Sequence, residues 1–204
     1  MVLFGDDVMR EHFLNVNLNY INSKLTFDDR KKKMIKYGLE CIYTMITKST
    51  AIIILSIIIN TFYETLFLII FYTFIRMFGF GIHATSNIKC WIVSVSTYSI
   101  LPLIIRYVGI NQIVVISCEM IAFLGLLLWT PADTKKRPLI HKDKRLKDKI
   151  LVLSIAFIYI IYSLFYLNIF SKAMMFGMLI ELVCTCPLTY IIFNQPYNNY
   201  KKMV

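Results

Sequence analysis

Residues 112–130 read QIVVISCEMIAFLGLLLWT, and residues 150–168 read ILVLSIAFIYIIYSLFYLN. Each has about the twenty mostly apolar residues that one helical crossing of a bilayer requires. The first holds a single charged side chain, Glu119, and the second holds none. Four further stretches, 38–60, 61–78, 90–108 and 173–193, have the same character. The weakest is 61–78, where only 11 charge-free residues separate Glu64 from Arg76, a length that also suits a re-entrant segment. The whole chain is 58% hydrophobic with a mean hydropathy of +0.65, above the roughly 45–50% apolar content of soluble domains. These features predict an all-α, polytopic membrane helical bundle, forming a single domain over residues 1–204. It should have six spans, or four spans and two re-entrant segments.

The distribution of Lys and Arg sets the orientation. Of the 22 basic residues, 19 fall in four segments that share one side of a six-span chain: 1–37, 76–90, 131–149 and the C-terminal tail. The other side keeps Arg106 and Lys172, while Lys48 lies inside the first span. Both termini are therefore expected in the cytoplasm. Five spans would strand the eight basic residues of 131–149 outside. The net charge of +10 collects between apolar runs, which points to anionic lipid or an acidic peptide and not to nucleic acid. The first strongly apolar run begins only after residue 38, so no signal peptide is expected. Residues 3–25 read as an amphipathic segment on the cytoplasmic leaflet, and Thr26 to Asp29 as the cap of the first long helix.

Three charges lie inside apolar runs, Lys48, Glu119 and Glu181, where an ionisable group costs several kcal/mol unless paired or solvated. They are compatible with a small transporter or channel, or with structural pairing such as Lys48 with Glu181. The cysteines Cys41, Cys90, Cys118, Cys184 and Cys186 are odd in number and lie mostly in apolar runs, so they do not form a disulfide framework. Cys184 and Cys186 lack the further ligands that a metal site would need. A thiol oxidoreductase built on them would need a redox-active dithiol inside an apolar helix. No metal or cofactor is expected.

Of the three histidines, His12 and His141 lie among polar residues. His83 sits in the connection 76–90, RMFGFGIHATSNIKC, seven residues before Cys90. A thiol nucleophile needs a base, and histidine commonly supplies it. On a continuous helix, positions i and i+7 lie about 10.5 Å apart along the axis, beyond the ~3 Å contact of a dyad. The pair works only if the chain breaks between them. Gly79, Gly81 and Thr85-Ser86-Asn87 supply that break. Ser86 or Asn87 can then cap the next span, placing Cys90 in its first turn, where the helix macrodipole favours negative charge.

Arg76, Gly81, His83, Ala84 and Cys90 together resemble the signature of the accessory gene regulator B (AgrB) family. These are membrane cysteine endopeptidases that process quorum-sensing propeptides in Gram-positive bacteria. Pro131-Ala-Asp-Thr134 and Pro138 resemble a second family stretch at the start of the central cytoplasmic loop. The resemblance implies Cys90 as nucleophile and His83 as base, with Arg76 and Gly81 in substrate binding or site support. A third catalytic member stays open among Glu40, Asn87 and Asp133. The implied partner is an AgrD-type propeptide with an amphipathic head, a cysteine-bearing signal sequence and an acidic tail. A homodimer in the bacterial cell membrane is also implied. The family usually has paired glycines before the histidine, whereas Phe80 precedes Gly81 here.

Overall fold

The computed structural model describes residues 2–24, 28–82, 87–134 and 139–199. Its elements are all helical: α1 (Val2–Lys24), α2 (Asp29–Ile58), α3 (Phe62–Gly79), α4 (Asn87–Tyr107), α5 (Gln112–Trp129), α6 (Lys142–Phe165), α7 (Ile169–Thr185) and α8 (Pro187–Ile192). The chain divides into two compact units at residue 54.

In the first unit, α1 stacks its Phe13 ring on Tyr43 of α2 at 5.4 Å and buries Leu14. Met9, Val16 and Tyr20 form an exposed apolar stripe on α1. Asp28 accepts the Lys32 amide through its carbonyl and so begins α2. Thr26 and Phe27 of the expected cap lie outside the described residues.

The second unit runs between two poles. At the first, Arg106 near the end of α4 meets Glu64 at the start of α3, 3.4 Å apart. There also Gln112 at the start of α5 donates to the carbonyls of Ser163 and Leu164 at the end of α6. Lys172 at the start of α7 donates to the carbonyls of Ile105 and Val108. At the second pole the ends of α3, α5 and α7 come together. Helices α3 to α7 therefore alternate in direction, each running from one pole to the other.

Among the described residues, five helices are long and apolar enough to cross a membrane, counting from Lys31–Ile58 to Lys142–Phe165. Helix α7, with 17 residues, is about 25 Å long at 1.5 Å per residue and sits at the short end of the spanning range. It joins the same two poles as α3 and α5. Helices α3 and α4 are continuous over 18 and 21 residues.

Two boundaries differ from the sequence expectation. The stretch 173–193 is not one helix, because Pro187 lacks an amide proton and pushes the preceding residue out of the helical region. Cys186 accordingly sits at φ −63°, ψ 131°, and the short α8 follows. The basic segment 131–149 is not all loop, since α6 already begins at Lys142.

Packing reverses the usual sidedness of a soluble protein. Ile121, Leu124 and Leu128 of α5 and Phe157, Ile158 and Phe165 of α6 are exposed, while Glu119, Ser163 and Glu181 are wholly buried. That is the pattern of a protein solvated by lipid, whose polar groups must turn inward. Between the helices, Ile75, Ala122, Leu126, Val152, Ala156 and Met178 build the main apolar cluster. Gly177 lets α7 approach the α3 backbone, where a Cβ would come within 3.1 Å of the Tyr72 amide nitrogen; small residues serve this purpose in membrane helix packing.

Candidate catalytic site

At the second pole, α3 ends in two unusual residues. Phe80 has φ 59° and ψ −117°, and Gly81 has φ 91°. The first turns the chain off the helix axis while its amide still bonds the Arg76 carbonyl at 3.3 Å. The second carries the chain on toward His83. A Cβ on Gly81 would sit 2.5 Å from Arg76 Nη1 and 2.6 Å from the Cys184 carbonyl oxygen, so glycine is required for space as well as conformation.

Irregular backbone in a membrane protein must find its hydrogen bonds within the protein, and the amides of 80–82 and the carbonyls of Gly79, Gly81 and Ile82 do so. Ala132, in the Pro-Ala-Asp-Thr stretch after α5, forms a parallel bridge with Phe80. Its amide donates to the Gly79 carbonyl at 3.0 Å and its carbonyl accepts from the Gly81 amide at 2.8 Å. The Ile82 amide donates to the Cys184 carbonyl at 2.9 Å, near the end of α7. The carbonyls of Ile82 and Gly81 accept from Arg76 Nη2, at 2.7 Å and 3.4 Å. Arg76 Nη1 turns the other way and pairs with Glu181 Oε2 at 3.3 Å. Glu181 Oε1 lies against Gly79, where a Cβ would collide with it.

The second motif stretch is tied down in turn. The Asp133 carbonyl accepts from the Tyr190 hydroxyl at 3.0 Å, and its carboxylate accepts from the Asn199 amide at 2.9 Å. Tyr197 packs edge-on against Tyr190 at 4.9 Å. The two sequence motifs, 50 residues apart, thus form one backbone assembly closed by α7, α8 and the segment after it.

Helix α4 begins at Asn87, which puts Cys90 in its first turn, half-buried and outside any disulfide. Because α4 runs opposite to α3, Cys90 lies at the same pole as Gly81 and Ile82. Tyr98, two turns further along, meets Tyr72 of α3 at 6.3 Å and helps fix the helix that carries the thiol. His83 lies outside the described residues, as do Ser86 and Pro138.

The two buried intramembrane acids have different partners. Glu119 accepts from Ser163 Oγ at 2.8 Å between α5 and α6, whereas Glu181 is paired with Arg76. Lys48 is half-buried on α2. Nothing in the sequence alone pairs Arg76 with Glu181, or sets Tyr190 and Asn199 as supports of Asp133. The available signal was an arginine at the end of one apolar run and an acid near the end of another, two groups that a lipid environment drives together.

A family model described as Accessory gene regulator B matches residues 15–185. A "Putative AgrB-like protein" of Listeria innocua is 27% identical over 177 residues, covering 86% of each chain. An "Accessory gene regulator protein B" of Staphylococcus epidermidis is 30% identical over 174 residues, covering 84% of this chain and 88% of its own. No solved structure matches.

Proposed function

Because this chain belongs to the accessory gene regulator B family, we propose that it is a membrane cysteine endopeptidase acting on an AgrD-type propeptide. The observation that carries this reading is the shared location of Cys90 and the braced segment 79–82. The thiol starts a helix at the pole where that segment runs into His83.

In the proposed reaction His83 takes the Cys90 proton, and the thiolate attacks the carbonyl before the propeptide's C-terminal tail. The C–N bond breaks, the tail leaves as an amine with the proton returned by His83, and a thioester to Cys90 remains. A cysteine thiol within the bound peptide then displaces Cys90, giving a thiolactone. Thioester exchange keeps the acyl group activated, whereas hydrolysis would discard that energy. Holding the peptide thiol nearby gives it a large effective concentration. A site at the membrane face limits competing water.

The braced pole faces the cytoplasm in this reading, with both termini on that side, in the bacterial cell membrane. The exposed stripe of Met9, Val16 and Tyr20 on α1 supports contact with membrane lipid or the propeptide's amphipathic head, and a homodimer is the expected assembly. Replacing both Met9 and Val16 on that stripe with Asp should weaken that docking and spare the dyad.

Co-expression with the cognate precursor, followed by mass spectrometry, tests the reading. The released tail should match the cyclic product plus trapped acyl-enzyme in amount. Cys90→Ser should abolish cleavage, while single Ala or Ser replacements of Cys41, Cys118 and Cys186 should retain it. Cleavage persisting in Cys90→Ser would remove the thiol mechanism. A linear product at the earliest times would leave a plain endopeptidase.

A further inference from the structure

We propose that Glu181 is a positioning residue for the cleavage reaction, acting through the Arg76 guanidinium on the carbonyls of Gly81 and Ile82. The proposal rests on the endopeptidase reading and adds a role for an acid 91 residues beyond the nucleophile.

Glu181 is wholly buried on α7, where an unpaired carboxylate is costly. Its ionic partner is Arg76, 3.3 Å away. Arginine is suited to the task because its planar fork offers donors on two sides at once. One nitrogen engages Glu181, and the other engages the Ile82 carbonyl at 2.7 Å and the Gly81 carbonyl at 3.4 Å. Ile82 immediately precedes His83 in the chain. The carboxylate thus fixes the orientation of the guanidinium, and the guanidinium fixes the backbone that delivers the base.

Two glycines make room for this arrangement. Gly79 gives way to the Glu181 carboxylate, and Gly81 gives way to the Arg76 guanidinium. Glycine positions, acid and base form one packed unit, which a freely solvated ion pair would not require. With its guanidinium turned inward on these partners, Arg76 acts on the enzyme's own loop and not on the charge of the substrate.

Arg76 and Glu181 are therefore expected to govern turnover and not substrate affinity. The test uses the full-length protein in proteoliposomes with purified precursor. Glu181→Gln keeps the shape and removes the charge. It should lower kcat by about a hundredfold, the scale of an ångström-sized misplacement near a reacting centre, and leave KM within about twofold, well under the tenfold that 1.4 kcal/mol of binding represents. It should also slow alkylation of Cys90 by iodoacetamide, followed at the Cys90 peptide by mass spectrometry, and change the pH profile of that reaction.

Exchanging the pair, Arg76→Glu with Glu181→Arg, should not restore turnover, because a carboxylate at position 76 cannot donate to the two carbonyls. A bare ion-pair role predicts rescue instead. Should Glu181→Gln fail to accumulate, Gly79→Ala tests the same contact from the other side and should reproduce the kcat loss and the altered alkylation profile. Unchanged kcat, a loss confined to KM, or rescue by the exchanged pair would each overturn the proposal. Cleavage surviving Cys90→Ser would defeat the endopeptidase reading itself, a result separate from any of these.

Discussion

The two poles of the α3–α7 unit contain the same chemical ingredients and use them differently. Each has one buried acid paired with one arginine: Glu64 with Arg106, and Glu181 with Arg76. Each also has basic or amide side chains donating to backbone carbonyls. At the first pole, those carbonyls belong to helix ends. Gln112 closes α6, Lys172 closes α4, and Asn111 and Asn168 cap α5 and α7. Such bonds satisfy groups that every helix leaves open. At the second pole, the carbonyls taken by Arg76 belong to an irregular segment between helices. The comparison teaches that identical interactions can finish a fold at one end and brace an irregular segment between helices at the other. It also accounts for Arg106 and Lys172, the two basic residues on the sparsely charged side. Both are engaged as structural donors.

The comparison can be sharpened by asking which pole meets the cytoplasm, for which an all-or-none result is expected. In a cysteine-free background, a cysteine at Lys144, exposed at the start of α6, should be shielded from an impermeant thiol reagent in intact cells. One at Gly109, where a side chain would meet only open space, should react. Labelling of position 144 from outside would invert the orientation.

The next largest effect should come from Gly81→Ala. Its Cβ would clash with Arg76 and with the Cys184 carbonyl at a positive φ. Cleavage should fall by about a hundredfold, measured as tail released per minute at saturating precursor. Glu64→Gln, at the opposite pole, should behave otherwise. It removes one charge of a partly exposed pair, so the expected cost is about 1 kcal/mol and the Tm should drop by a few degrees, with kcat within twofold. If Glu64→Gln impaired turnover as strongly as Gly81→Ala, the division of labour between the poles would be wrong.

Much of this organisation was legible in the sequence. Five of the six apolar stretches became single helices while the sixth divides at Pro187, and α4, for which Ser86 or Asn87 was the expected cap, starts at Asn87 with Cys90 in its first turn. Less visible was what braces the 76–90 connection. Arg76 and Glu181 are 105 residues apart, and only tertiary packing brings them together. Ala132 acts through its backbone, which carries no residue-type signal. The break at Cys186 was readable from Pro187, but hydropathy averaged over 173–193 concealed it. The early start of α6 was hidden because Lys142 to Lys149 are strongly charged, and hydrophobic periodicity does not register a helix that projects beyond the bilayer.

The smallest expected effect concerns Phe80, the residue standing where the family usually has a glycine. Its φ of 59° with ψ of −117° lies in a region that residues with a Cβ seldom occupy, and such strain costs on the order of 1–3 kcal/mol. The bonds that define the turn are made by backbone: Phe80 N to the Arg76 carbonyl, and the Ala132 bridge on either side. A glycine would keep all of them and lose the conformational strain, but it would also give up the packing of a half-buried ring and gain freedom in the unfolded chain. These opposing terms are similar in size, so Phe80→Gly should change stability by no more than about 1 kcal/mol, with stabilisation the expected sign. Turnover should be retained, because Arg76, Glu181 and Gly81 keep their partners. A thermal melt of the purified variant, paired with the cleavage assay, measures both. A marked loss of cleavage with an unchanged Tm would mean that the Phe80 ring itself serves the reaction, and the second pole would then owe its function to a side chain as well as to its braced backbone.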